Sequence, residues 1–205
     1  MAEIFKFYQS SPNIKKLHKA AEILKNGGLI IYPTDTVYAL GCLIDQHQTL
    51  KKLANLKGVK LEKAPFSFFL KSFEELSKYV KPLDNPTFKL LKRCLPGPYT
   101  FILPVLKLPK PFDKRKSIGV RISDHPVLNA LLDLVPVPLI TTSLHDKDEI
   151  IDYTTDPEVI LERWEDTIDL MLEDGFGGNI PSTVVDLCSG EPSVVRPGKG
   201  SLDLI

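Results

Sequence analysis

Three segments of this chain carry an apolar strand to a stop in hydroxyl groups. They read LIIYPTDTVYALG at 29–41, LITTS at 139–143 and, through a glycine-rich turn, GFGGNIPST at 175–183. Leu29, Ile30 and Ile31 suit a buried strand. The chain then turns polar through Pro33, Thr34, Asp35 and Thr36 before it becomes apolar again and reaches Gly41. A core strand that ends in threonines and a carboxylate fits an α/β domain whose binding loops gather at the carboxyl ends of strands. Thr34 and Thr36 equally suit a plain turn or a helix cap. The hydroxyls alone leave both readings open.

The periodicity supports the α/β class. Glu3–Tyr8 alternates apolar and polar residues, as a half-buried strand does. Ser11 and Pro12 suit the N-cap and first position of a helix. Ile14, Leu17, Ala21 and Leu24 follow at helical spacing, and Gly27-Gly28 supplies the stop. Further helices are predicted at Thr49–Leu56, from Ser72 with Glu75 at capping-box spacing, and at Asn85–Cys94, Pro126–Leu134 and Pro157–Trp164. Strands are predicted at Leu29–Tyr32, Phe66–Leu70, Thr100–Val105, Ser117–Ile122, Leu139–Ser143 and Ile168–Leu172. Thr183–Leu187 and Ser193–Arg196 form a hairpin around Ser189-Gly190. The Pro/Lys-rich stretch 107–116, LKLPKPFDKRK with its flank, reads as a surface connection within one domain, because core strands flank it.

Composition narrows the class of partner. Hydrophobic residues make up 43 % of the 205, enough for a full core. Lys+Arg and Asp+Glu are both 26, so bulk charge offers no attraction to nucleic acid, and a basic surface has to be local. Cys42, Cys94 and Cys188 are widely spaced and odd in number, which fits free thiols in a reducing cytosol better than disulfides or zinc. The N-terminus lacks a signal-peptide pattern, and no apolar stretch reaches the ~18 residues of a membrane span. The expected location is cytoplasmic.

Two arginines sit in strands, Arg121 in IGVRIS and Arg196 in VVRPG. A guanidinium among valines needs a carboxylate or phosphate partner, from the protein or from a ligand. Lys51, Lys52, Lys57, Lys60 and Lys63 suit a solvated face. The four histidines show no metal-ligand spacing, and neither GxGxxG nor a Walker sequence is present.

Taken in order, YPTDTVYALG, KGVK, PGPYTFIL, VRISDHP, TTSL, PSTVVD and VVRPG resemble the YrdC-like family of threonylcarbamoyl-AMP synthases. The resemblance runs from about residue 12 to 200. It implies one domain over 1–205, with no second C-terminal domain. The implied fold is a twisted mixed parallel/antiparallel sheet with flanking helices and a large concave cavity. It also implies chemistry on ATP, L-threonine and bicarbonate, giving threonylcarbamoyl-AMP and pyrophosphate for tRNA modification. Mg2+ would enter with ATP, and no resident metal is implied. By matching position, Thr34, Arg121, Ser143 and Ser182 would bind threonine, and Lys57, Lys60, Ser117 and Arg196 would bind ATP. No side chain is implied as a nucleophile; Lys57 is the best candidate for a catalytic cation.

The chain departs from the synthase pattern in ways similar to the YciO branch. The Lys-x-Arg pair reads Lys57-Gly58-Val59, and Ser-x-Asn reads Ser143-Leu144-His145. Phe68-Phe69 stands near a position where synthases often carry histidine, and YALG replaces YGLG. Losing one guanidinium from a phosphate site costs roughly 2–4 kcal/mol, so weak or altered synthase activity is expected. The alternative is a double-stranded RNA or tRNA-binding module, with Lys63, Lys110, Arg115 and Lys116 as its surface. A metabolite sensor with the same pocket is a third reading.

Overall fold

The computed structural model describes residues 2–8, 11–144 and 152–205. Strand β1 (Glu3–Lys6) leads into helix α1 (Ile14–Lys25). The helix start differs from expectation. Asn13, not Ser11, is the N-cap, and its side chain accepts from Lys16 N. Ser11 instead closes a turn by donating its N–H to Tyr8 O. The stop is a Schellman motif: Gly28 N–H donates to Ile23 O and Gly27 N–H to Leu24 O, with Gly27 at φ +90°. A residue with a side chain is strained at that angle.

Strand β2 (Ile30–Tyr32) pairs antiparallel with β3 (Ala39–Leu43) around the loop 33–38. No strand is predicted over 39–43, yet all five residues of ALGCL are buried in a central strand. Helix α2 (His47–Leu56) follows, then a 3-10 turn at Leu61–Lys63, strand β4 (Ser67–Phe69) and helix α3 (Phe73–Leu76). Ser72 caps α3 as its spacing predicts. Helix α4 (Asn85–Cys94) precedes β5 (Tyr99–Pro104) and β6 (Ser117–Arg121). Helix α5 (Pro126–Leu132) and β7 (Leu139–Ser143) come next. Helices α6 (Asp152–Thr155) and α7 (Pro157–Trp164) lead to β8 (Leu170–Glu173), β9 (Thr183–Asp186) and β10 (Ser193–Arg196). The connection at 107–116 is more than surface: Leu108 and Phe112 are buried, which ties it into the domain core.

Among the described residues, ten strands form one sheet in the order β1-β8-β2-β3-β7-β4-β6-β5-β9-β10. Four pairs are parallel (β1 with β8, β8 with β2, β4 with β6, β5 with β9) and the other five are antiparallel. Successive side chains on a strand face opposite sides, so each strand feeds two layers. On one face, Ile31, Leu40, Phe68, Phe101, Val120 and Ile140 pack in a core with α2, α3 and α4. On the other face, Ile30, Tyr32, Leu43 and Leu139 pack beneath α1 and α5. That core spans β1, β8, β2 and β3 and reaches Leu139 of β7 and Phe69 of β4, but takes in no residue of β6, β5, β9 or β10. No described helix is long and apolar enough to cross a membrane.

Leu17 of α1 is fully buried in this second core. Leu17→Ala is expected to cost about 2–5 kcal/mol in urea unfolding, because it removes apolar contact and leaves a cavity.

Candidate functional site

The uncovered part of the second face is a cavity of about 620 Å3. Its floor follows from strand alternation. On β6, Ile118 and Val120 enter the first core, while Ser117, Gly119 and Arg121 line the cavity. On β5, Phe101 and Leu103 enter the core, while Thr100 and Ile102 face the cavity. Thr141 and Ser143 of β7 and Ser67 of β4 complete the floor. The pairing aligns Thr141, Ser67 and Gly119 in one row, and Leu139, Phe69 and Arg121 in another. Ser117 and Arg121 lie four residues apart on β6, roughly 13 Å along a strand. The cavity therefore has two ends.

The first end holds Lys57, Ser143, Ser117 and Arg115. Lys57 follows the last turn of α2, and its Nζ donates to Ser143 O at 2.9 Å. Burial pulls this ammonium below its usual value. An ammonium has three donors, so Lys57 keeps capacity for an anion.

The second end centres on Arg121, which is buried on β6. Its Nη2 donates to Asp35 Oδ1 at 2.6 Å and its Nη1 to Thr36 Oγ1 at 3.1 Å. The guanidinium also sits 4.8 Å from the centre of the Phe69 ring. Burial lowers the Arg121 pKa, and Asp35 opposes that fall. Ser182 and Thr100 share a hydroxyl–hydroxyl bond of 2.8 Å beside it. Arg196, on the exposed β10, reaches in to donate to Ser182 O at 2.8 Å.

The loop 33–38 explains why Thr36, and not Thr34, meets the arginine. Thr34 Oγ1 donates its one proton to Val37 O at 2.7 Å and accepts from Thr36 N–H at 3.0 Å. Thr36 must then be the donor in the 3.0 Å contact between the two hydroxyls. Thr34 is thereby engaged as a turn former. It lines a separate cleft of about 320 Å3 with Asp174, His125 and the 175–178 loop, not the main cavity. That loop lies so close that a Cβ on Gly178 would fall 2.1 Å from Thr36 O. Burial lowers the His125 pKa although Asp174, Asp35 and Asp124 pull it upward.

Of the residues expected at the site, Arg121, Ser143, Ser182, Lys57, Ser117 and Arg196 all line the one cavity. Thr34 does not, and neither does Lys60, which borders a shallow depression beside Lys51 and Gly58. Lys60 therefore does not replace the absent arginine inside the cavity. Lys63, Lys110 and Lys116 are exposed. Arg115, expected on that outer surface, instead forms cavity wall: it is half-buried, and its Nη2 donates to the carbonyls of Leu61 and Ala64. The Phe68–Phe69 substitution is resolved by packing, since both rings are buried on opposite faces of β4. His145 lies outside the described residues.

Asp35 and Thr36 were missed as site residues, and Arg115 was expected on the outer surface and not in the cavity. The signal for the first two was the need of Arg121 for a carboxylate. For the cavity floor it was the alternation of small or polar with apolar residues in TFIL and SIGVR. Nothing local marked Arg115, because its place depends on Phe112 entering the core.

These features define a cavity lined by Lys57, Arg115, Arg121 and Arg196 on the half-open face of a mixed sheet. Over residues 22–198 the chain matches the Sua5/YciO/YrdC family, described as "Telomere recombination", and it belongs to that family. It is 36 % identical over 206 residues to the uncharacterized protein YciO of Escherichia coli K12, covering 98 % of each chain. The crystal structure of E. coli YciO matches with a TM-score of 0.90 at 35 % identity, over 100 % of this chain and 99 % of that one. A threonylcarbamoyl-AMP synthase of Marinobacter nauticus is 31 % identical over 192 residues, 89 % of this chain and 96 % of its own. P. abyssi Sua5, solved in complex with L-threonine, matches with a TM-score of 0.82 at 26 % identity, over 95 % of this chain and 57 % of that one.

Asp35 and Arg121 have side chains only 4 % and 6 % exposed. Asp35→Ala would strand a buried guanidinium. The expected loss is about 3–5 kcal/mol in chemical denaturation.

Proposed function

We propose that this protein binds ATP in the main cavity and makes threonylcarbamoyl-AMP from L-threonine and bicarbonate, slowly or on an altered amino acid. The observation that carries this reading is the charge of the wall. Lys57, Arg115, Arg121 and Arg196 line one cavity, and no carboxylate is among its described lining residues. The whole chain has a formal net charge of +0, so this concentration of cations is local. Such a wall favours a polyanion and stabilises charge that develops on departing pyrophosphate.

The residues divide by chemistry. At the first end, Lys57 and the hydroxyls of Ser117 and Ser143 would hold phosphate oxygens, with Lys57 the leading candidate for easing the departure of pyrophosphate. At the second end, the Nε–H of Arg121 is buried and has no partner among the described residues, so it offers one donor to an amino-acid carboxylate. Asp35 and Thr36 already hold the other two edges of that guanidinium. A substrate carboxylate would therefore meet a partly satisfied arginine, which suits weak or altered turnover. Ser182 and Thr100 supply neighbouring hydroxyls. With no carboxylate in the described wall to hold it, Mg2+ would arrive bound to the triphosphate as part of the substrate. Catalysis then rests on positioning and electrostatics.

In the alternative reading, a double-stranded RNA or tRNA module, Arg115 is lost to the cavity, while Lys63, Lys110 and Lys116 stay exposed. Pyrophosphate release from ATP, measured with and without L-threonine and bicarbonate, separates the two. The expected result is slow release that needs both co-substrates and falls roughly 10²–10³-fold in Lys57→Ala. Salt-dependent binding of duplex RNA with no release under any amino acid would favour the RNA module.

A further inference from the structure

The first end of the cavity holds a guanidinium that the local sequence there does not provide. Val59 stands two residues after Lys57 and packs against the first core. Arg115 comes from the loop before β6, more than fifty residues further on, and lines the same cavity. It precedes Ser117 by two residues, so it stands at the Ser117 end of β6, away from Arg121. Its anchoring is specific. Phe112 is fully buried, and the Arg115 guanidinium lies 4.6 Å from the centre of that ring. Nη2 donates to the carbonyls of Leu61 and Ala64, in the segment just after Lys57. The loop that carries Lys57 and the loop that carries Arg115 are thus tied together by Arg115 itself.

The remaining donors point to a ligand. Arg115 Nε is buried, and no acceptor meets it among the described residues. Nη1 makes no hydrogen bond, and no carboxylate pairs with the side chain, among those residues. A buried N–H without an acceptor is costly, and a guanidinium without a counter-charge attracts one. A residue that served only to staple the loop would need Nη2 alone.

We propose that Arg115 and Lys57, brought together from two separate segments, form the polyphosphate-binding pair of this cavity, with Arg115 standing in for a guanidinium two residues after Lys57. This rests on the reading of the cavity as an ATP site and names the groups that hold its phosphates. The pair combines a point charge with a planar fork, which a lysine at either place does not reproduce.

Calorimetric titration of the full chain with pyrophosphate and with ATP tests it, using wild type, Arg115→Gln and Arg115→Lys, with a thermal melt of each. The expected result is binding by wild type and a roughly ten- to hundred-fold weaker affinity for both ligands in Arg115→Gln. Arg115→Lys keeps the charge and most of the stem, and is expected to fall between the two. Affinities within twofold of wild type in both variants, whatever their melting temperatures, would overturn the role of Arg115 and leave the ATP reading standing. No binding of either ligand by wild type would overturn that reading and the pair with it. If Arg115→Gln fails to fold, Arg115→Lys decides: a severalfold loss supports the pair, and unchanged affinity refutes it.

Discussion

A sheet face that is covered along only part of its width cannot be apolar across its whole width. Here α1 and α5 cover the β1–β8–β2–β3 side and the near ends of β7 and β4 at Leu139 and Phe69, where Ile30, Leu43 and Leu170 meet Leu17, Leu24 and Leu128. Beyond β3 the same face carries Ser67, Thr100, Ser117, Gly119 and Thr141, which are small or polar and tolerate water or a ligand. The opposite face carries a continuous apolar core through Ile31, Leu40, Ile140, Phe68, Val120 and Phe101. The cavity is therefore a consequence of where the helices stop. Of its cations, Arg121 is set into the sheet floor and held by Asp35 from the loop 33–38, while Lys57 and Arg115 reach in from the surrounding segments.

Charge balance gives that floor its chemistry. Arg121 has a protein carboxylate against it, whereas Lys57 and Arg115 have none among the described residues. Burial lowers the pKa of each of these two groups, which reflects the cost of holding a cation away from water without a counter-charge. An anion in the cavity would relieve that cost. The two ends differ in kind: one is an arginine largely satisfied within the protein, and the other a pair of cations that still seeks oxygen atoms.

Much of the fold was legible because its strands and helices obey simple local rules. Asn85–Cys94, Leu139–Ser143 and Ser193–Arg196 fall where periodicity and capping place them. Strand β3 was not legible, since ALGCL is buried on both faces and lacks the alternation that marks a half-buried strand. In the site, the family pattern brought Lys57, Ser117, Arg121, Ser143, Ser182 and Arg196 to one cavity. Local reasoning could not distinguish Thr34 from Thr36, because the turn between them decides which hydroxyl faces the arginine. Arg115 was misread as a surface cation for a similar reason. It sits in a run of lysines, and only the burial of Leu108 and Phe112 turns it inward.

The central claim is that an uncompensated lysine–arginine pair at one end of a sheet-floored cavity receives the phosphates of a nucleotide. A crystal structure of the protein with a non-hydrolysable ATP analogue and Mg2+ tests it most directly. The triphosphate is expected in the main cavity, with its oxygens in hydrogen-bonding contact with Lys57 Nζ and with Nε or Nη1 of Arg115. A nucleotide bound instead at the outer lysines or in the Asp174–His125 cleft, with both cations still free of it, would rule out phosphate binding by this pair.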